Sequence, residues 1–160
     1  MSGFGPVLAY LTSLAVALIL RLIALPEALA ALRPLWLPMV LAYWALNAPE
    51  RPNLLAALLL GLICDALSDS ALGAHALAFL LVAYASARLR PTLALVPWWQ
   101  ATLALAPVWA GYAAVMTGLD ALAHHPAEAV LRWLPVAVTT AAWPLVCRLL
   151  QRLAATEQMN

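Results

Sequence analysis

Six apolar segments, separated by short polar stretches, constrain the fold of this chain more than any other feature of its sequence. They span residues 4–25, 35–48, 53–67, 72–89, 98–119 and 133–150. Of the 160 residues, 66% are hydrophobic and 9% are charged, whereas a soluble domain carries about a quarter charged residues. A soluble core of this size could not enclose so much apolar surface. We therefore predict an all-α integral membrane protein in which residues 1–160 form a single polytopic transmembrane domain.

Two of the six segments are short for a membrane span. Segments 35–48 and 53–67 hold about 14 residues each, whereas a helix needs about 20 residues to cross the hydrocarbon core. The pair could instead form a re-entrant hairpin, but Glu50 and Arg51 in the connection would then lie deep in the membrane, where charges are costly. We therefore predict two short spans in a locally thinned bilayer, and six transmembrane helices in all.

The distribution of arginine predicts the orientation, because cytoplasmic loops are enriched in basic residues. With the N-terminus inside, the cytoplasmic side holds five arginines, namely Arg51, Arg88, Arg90, Arg148 and Arg152. The opposite side holds Arg33 and Arg132, together with Arg21, which could snorkel from the end of the first helix. We therefore predict that both termini are cytoplasmic. Tryptophans near the starts of spans support the boundaries, at Trp36, Trp98, Trp99 and Trp133.

Asp65 is an unexpected carboxylate, because it lies inside an apolar segment. An aspartate at the centre of a bilayer costs about 2.5–3.5 kcal/mol, and this cost falls toward the end of a helix. Asp65 lies within about one turn of the end of its segment, so it could be an interfacial carboxylate. It could also face inward and pair with a hydroxyl, with His75 or with a group of a partner protein. The sequence leaves these alternatives open.

The turn that follows Asp65 carries residues typical of a helix start. Ser68, Asp69 or Ser70 can cap the fourth helix by accepting hydrogen bonds from its free amides. Asp69 also complements the positive end of the helix dipole. We expect Gly73 to let the first turn of the fourth helix pack closely against the third helix.

Small residues recur at four-residue spacing along the third helix. Ala57, Gly61 and Asp65 therefore share one face, and the two small residues permit close approach of another backbone. That face could pack within this chain or against a second protein, and the spacing is compatible with both.

The other polar residues do not predict an enzymatic or metal site. Ser68, Asp69 and His75 match no nucleophile-elbow pattern, and His124 and His125 lack the spacing of a metal-binding motif. All eight basic residues are arginine and the net charge is +1, so no basic stripe indicates nucleic-acid binding. We predict no catalytic residue, no metal ligand and no cofactor.

Several short motifs occur in a characteristic order between residues 33 and 90. They are an R-P-x-W opening of the second helix, a tyrosine–tryptophan pair near its end, G-x-x-x-D, a serine-containing turn, L-G and a helix with an A-Y pair. They fall on Arg33, Pro34, Trp36, Tyr43, Trp44, Gly61, Asp65, Leu72, Gly73, Ala78 and Tyr84. In this order, with six spans and this length, the chain resembles the family of MreD, the rod shape-determining membrane protein of bacteria.

The resemblance implies a non-enzymatic, multi-pass scaffold of the bacterial cytoplasmic (inner) membrane that acts in cell elongation, peptidoglycan synthesis and cell shape. Its direct partner would be MreC, and the wider complex would include MreB, RodA and a class B penicillin-binding transpeptidase. The family's fold is similar to that of the substrate-binding subunits of energy-coupling-factor transporters, which by itself does not imply transport. Membrane lipid is the other expected contact, because Arg88, Arg90, Arg148 and Arg152 could meet anionic headgroups; they could equally touch a cytoskeletal partner. The candidate partner-contact or structural residues are Asp65, Asp69, Gly61, Gly73, Arg88, Trp36 and Tyr84.

Two other functions remain as alternatives. The first is a small-solute-binding subunit of a transporter, which needs polar groups converging on a cavity. The available side chains are Asp65, Tyr84, Tyr112, Thr117, Thr139 and Thr140. The second is an enzyme acting on lipid-linked sugar, for which Asp65 and Asp69 are the available acids.

Overall fold

A computed structural model describes residues 4–23, 26, 32–51, 53–68, 72–122 and 129–158 of the chain. These residues form six α-helices, and each predicted apolar segment overlaps one of them, which confirms the all-α prediction. The helices are α1 (Phe4–Leu22), α2 (Trp36–Asn47), α3 (Asn53–Leu67), α4 (Ala74–Leu93), α5 (Trp98–Leu122) and α6 (Ala129–Gln158).

The helices differ in whether they are long enough to cross a membrane. Three stretches are long and apolar enough, namely α4, α5 and Trp133–Ala155 of α6. Two shorter apolar helices accompany them within the described residues, Val7–Leu22 of α1 and the whole of α3. The 12-residue α2 is shorter still and extends only about 18 Å.

α2 lies in the middle of the bundle. Every residue from Leu37 to Ala45 is buried, and the helix contacts α1, α3, α4 and α6. α2 is therefore enclosed by other helices of the bundle, while the locally thinned bilayer stays a prediction. α3 is different, because one of its faces is exposed and carries Leu54, Leu55, Leu59, Ile63 and Leu67.

Aromatic contacts fix the helices around α2. Trp44 of α2 packs edge-on against Tyr10 of α1 with ring centroids 5.4 Å apart, and its indole Nε1 donates a hydrogen bond of 2.9 Å to Ser13 Oγ. On the other side of the bundle, Trp109 of α5 packs against Trp143 of α6 at 5.4 Å. Tyr43 and Trp44, the tyrosine–tryptophan pair of the sequence motif, are both buried and belong to the core.

The helices alternate in direction, which gives the bundle two ends. We call the end where α3 finishes and α4 begins the Asp65 end, since it carries Asp65. The opposite end, where α4 finishes and α5 begins, is the Arg90 end. Asn53 ties α2 to α3 there, because its Nδ2 donates hydrogen bonds to the carbonyls of Ala48 at 2.8 Å and of Trp44 at 3.4 Å.

α3 and α4 approach each other very closely at Gly61. A Cβ atom added to Gly61 would lie 2.2 Å from the Cα of Ala76 and 2.5 Å from its nitrogen, far inside van der Waals contact. Ala57, one turn earlier, is also fully buried. The face of small residues on α3 therefore packs within this chain, and Gly61 is not available to a second protein.

Candidate functional site

Asp65 faces inward at the end of α3, with only 2% of its surface exposed. Its Oδ2 accepts a hydrogen bond of 2.8 Å from the backbone amide of Gly73. Its Oδ1 accepts one of 2.9 Å from the amide of His75. These amides belong to the start of α4 and have no partner within that helix. The carboxylate of one helix therefore caps the next helix, and of the alternatives considered for Asp65 the inward-facing one is correct.

The cap of α4 differs from the expected one. The N-cap position is Gly73, not Ser68, Asp69 or Ser70, and no side chain of the cap residue bonds to the helix. Asp69 and Ser70 themselves lie outside the described residues. Among the described residues, Asp65 supplies the side-chain acceptor for the start of α4, eight residues before Gly73.

Our explanation of Gly73 was wrong. No atom lies within 4 Å of a Cβ added at this position, so close packing is not the reason for glycine. The backbone has φ of 96°, a left-handed conformation that side chains other than glycine adopt only with strain. This conformation turns the chain so that the amides of Gly73 and His75 both face Asp65.

His75 continues the network through both of its ring nitrogens. Nδ1 lies 2.8 Å from Asp65 Oδ1, and Nε2 lies 2.6 Å from Nη2 of Arg21. A guanidinium can only donate hydrogen bonds, so Nε2 must accept and the ring proton must sit on Nδ1. His75 therefore donates to Asp65 and connects the negative carboxylate to the positive guanidinium through a neutral imidazole.

Arg21 brings a third helix into this network. It reaches across from the last turn of α1 to His75 and also lies 3.5 Å from Ser68 Oγ. The sequence allows Arg21 to snorkel toward solvent, but its guanidinium bonds to two acceptors of the chain instead. We call Asp65, His75 and Arg21 the buried triad, after the two members that are buried; Arg21 itself is half-buried. It joins α1, α3 and α4 at one end of the bundle.

Arg33 stabilises the same end from the second segment. Its Nη1 donates a hydrogen bond of 2.6 Å to the carbonyl of Arg21, and its Nη2 donates to the carbonyl of Ile23. These carbonyls lie at the end of α1, where helix acceptors are unpaired. Two residues later, the amide of Leu35 donates a hydrogen bond of 2.9 Å to Oγ1 of the buried Thr139 in α6. The R-P-x-W motif therefore connects α1, α2 and α6.

The triad could not be assembled from the sequence alone. The sequence offers His75 as one of three partners for Asp65, but it gives Arg21 only a place near the membrane surface. The sequence shows only that Arg21 lies at the end of an apolar helix. This position does not distinguish an arginine that snorkels to the surface from one that is hydrogen-bonded within the protein. Only the proximity of α1 to α4 decides between them.

The remaining candidate residues do not join the triad. Trp36 is half-buried at the start of α2, while Arg88 and Tyr84 are exposed on α4, Tyr84 with 58% of its surface. Gly61 lies one turn before Asp65 on the face that contacts α4.

The side chains considered for a solute site point to different places. Thr117 Oγ1 donates to the carbonyl of Ala113 at 2.7 Å, and Thr140 Oγ1 donates to that of Val136 at 2.8 Å. These hydroxyls are hydrogen-bonded within their own helices, and Tyr84 is on the outer surface. They do not converge with Asp65 on one cavity.

Metal ligands do not cluster in the part of the chain that the structure describes. No group of three or more histidine, cysteine, aspartate or glutamate side chains there could hold a metal ion. His124 and His125 lie outside the described residues.

Comparison with known proteins places these features in a family. The sequence model of the family described as "rod shape-determining protein MreD" matches residues 2–153, nearly the whole chain. The rod shape-determining protein MreD of Haemophilus influenzae is 40% identical over 62 residues, which cover 39% of this chain and 38% of that relative. No solved structure matches the chain. With the family model covering almost every residue, this chain belongs to the MreD family of rod shape-determining proteins.

Proposed function

We propose that this protein is a non-enzymatic scaffold of the cell-elongation complex in the bacterial inner membrane. Membership in the MreD family implies a role in rod shape determination, and the apolar helices suit a multi-pass membrane protein. Residues 1–160 would form a single domain with six transmembrane helices, MreC would bind directly, and MreB, RodA and a class B penicillin-binding transpeptidase would belong to the wider assembly. Similarity to energy-coupling-factor subunits stays a prediction.

The buried triad is the observation that supports a scaffold best. Both oxygens of Asp65 accept hydrogen bonds from the chain itself. Hydrogen bonds to a carboxylate are among the strongest that proteins form. A carboxylate used in this way fixes helices relative to one another and does not wait for a substrate. A fixed arrangement of helices is what a scaffold has to offer its partners.

The arginines support an orientation with the Arg90 end in the cytoplasm. At the Asp65 end, Arg21 and Arg33 donate hydrogen bonds to groups of the chain. The described arginines at the other end are more numerous, namely Arg51, Arg88, Arg90, Arg148 and Arg152. Basic residues near helix ends favour the cytoplasmic side, so both termini would be cytoplasmic.

α4 offers a surface for a partner helix. Leu77, Tyr84 and Arg88 are exposed on it, and Tyr84 and Arg88 lie one turn apart on one face. Side chains of a helix lean toward its N-terminus, so the hydroxyl of Tyr84 leans away from the Arg90 end and into the hydrocarbon region. A hydroxyl there is better accommodated by a partner that accepts its hydrogen bond than by lipid.

Co-purification from native membranes tests this proposal. Tagged protein co-expressed with MreC should retain it, and Tyr84→Ala should reduce the amount retained by about tenfold if the tyrosine is a central contact. Leu145→Ala is the matched control, because Leu145 of α6 is 71% exposed and also apolar. If both variants retain MreC, this face of α4 is not the contact. If the unmutated protein does not retain MreC, the scaffold proposal itself is wrong.

A solute-binding subunit remains the alternative function. It draws no support from the hydroxyls of α5 and α6, which bond within their helices. A metabolite that raises the thermal unfolding midpoint, together with co-purification of an ATPase instead of MreC, would favour it.

A further inference from the structure

A cavity of about 660 Å³ enters the bundle at the Arg90 end. It lies between the last turns of α2 and α4, the first turns of α5 and the second half of α6. Its volume is within the range of about 300–1,000 Å³ typical of small-molecule sites. It lies at the opposite end of the helices from the buried triad, so the interactions described above do not account for it.

The mouth of this cavity is polar and positively charged. Its polar lining residues are Asn47, Arg90, Thr102, Arg148 and Gln151. No aspartate or glutamate of the described residues lines it. Arg90 and Arg148 form no ion pair or side-chain hydrogen bond with any described residue. Two guanidinium groups on one cavity without a carboxylate favour an anion, and their planar donors match the oxygens of a phosphate.

The floor of the cavity is apolar. Leu46, Leu93, Leu105 and Trp143 line it, and Leu105 and Trp143 are buried in the core. A water-soluble phosphate ester would leave this surface without a partner, whereas an acyl chain would cover it. Trp98, at the start of α5, also lines the cavity, and tryptophan favours the level of lipid headgroups.

We propose that this cavity binds one anionic glycerophospholipid, with its phosphate held between Arg90 and Arg148 and the first part of an acyl chain against the apolar floor. Basic pockets between transmembrane helices bind anionic lipid headgroups by this combination of charge and apolar surface. The site does not depend on the proposed partner of α4 or on which side of the membrane the Arg90 end faces.

Lipid titration of the purified full-length protein in a non-ionic detergent tests the proposal. The probes are dioctanoyl phosphatidylglycerol, dioctanoyl phosphatidylcholine with the same chains, and inorganic phosphate, with bound lipid counted by native mass spectrometry. We expect one phosphatidylglycerol to bind saturably and about tenfold more tightly than phosphatidylcholine, because only the anionic lipid leaves the guanidinium charges compensated. Equal affinity for the two lipids would overturn the proposal. Displacement of the lipid by millimolar inorganic phosphate would identify a free-anion site instead and would also overturn it.

Three variants locate the site. Arg90→Gln combined with Arg148→Gln should weaken phosphatidylglycerol binding by about tenfold or more. Arg88→Gln is the control, because Arg88 is exposed on the same helix and at the same end but does not line the cavity. It should change the affinity less than about twofold. An equal loss in both would show diffuse attraction to a charged surface and contradict a defined site.

Ala101→Trp tests whether lipid binding needs the space of the cavity as well as its two arginines. Ala101 lines the cavity, so a tryptophan there fills the space while both arginines remain. We expect the saturable phosphatidylglycerol adduct to disappear. Unchanged binding in this variant would place the lipid elsewhere on the protein and overturn the proposal, even if the double arginine variant failed to fold.

Discussion

At the Asp65 end of the bundle, Arg21 and Arg33 donate hydrogen bonds to groups of the chain itself, whereas at the Arg90 end Arg90 and Arg148 line a cavity and bond to no described residue. The four arginines have the same charge and similar positions near helix ends. They differ in whether the fold supplies an acceptor. An arginine that bonds to its own chain contributes to stability, and one that does not is available to a ligand.

Gly61→Leu should have the largest effect, because it forces apart the two helices that form the Asp65 end. The new side chain would overlap the backbone of Ala76, which lies 2.2 Å from the added Cβ. We expect a loss beyond about 5 kcal/mol, the exceptional range for point substitutions, and therefore no monodisperse protein in size-exclusion chromatography. Gly118→Leu is the control, since no atom lies within 4 Å of a Cβ at Gly118. Normal yield of the Gly61 variant would contradict the observed packing.

Asp65→Ala should lower the free energy of unfolding by about 3–5 kcal/mol, because each buried donor left without an acceptor costs about 1–3 kcal/mol. It leaves the Arg21 guanidinium uncompensated and two amides of α4 without an acceptor. Because Arg21 and Asp65 are connected through His75, the double variant Asp65→Ala with Arg21→Met should lose less than the sum of the single variants. Additive losses in denaturant titrations would show that the triad is not one unit.

Gly73→Ala should cost about 1–2 kcal/mol, because alanine is strained at φ of 96°. There is room for the methyl group, so the effect would be conformational and not steric. Asn tolerates this conformation better than alanine, so Gly73→Asn should lie between the two in thermal unfolding midpoint. Equal midpoints for glycine and alanine would show that the turn relaxes.

Arg148→Gln should change the stability of the lipid-free protein by less than about 0.5 kcal/mol, as expected for a side chain without a partner. Arg21→Gln provides the comparison, since it removes a partner of His75 and should cost clearly more. Thermal unfolding in lipid-free detergent measures both. A large loss in the Arg148 variant would mean that the Arg90 end also uses its arginines for folding.

The sequence predicted the helices well because apolarity and helix formation coincide in a membrane protein. α3 begins and ends as predicted, and α4 begins two residues later than predicted because Gly73 adopts a left-handed conformation. α6 continues to Gln158, eight residues past the predicted end. That tail contains good helix formers but fewer apolar residues, so hydropathy marks the end of the apolar stretch and not the end of the helix.

The interactions of the site were harder to predict than its residues. Asp65 and Gly73 are among the candidate residues, but the sequence does not predict that Asp65 caps α4, and Gly73 serves a different purpose from the one expected. Arg21 is 54 residues away from His75 in the sequence. No local pattern relates them, because their contact arises only when α1 packs against the other helices.

The central position of α2 has a consequence for how the chain is made. A helix of 12 residues is too short to be stable by itself in a bilayer, and its surface is covered partly by α4 and α6, which are synthesised later. A nascent chain that stops after α3 therefore lacks the neighbours that would enclose α2. Packing around α2 is therefore completed only once α4 and α6, which cover part of its surface, have been synthesised.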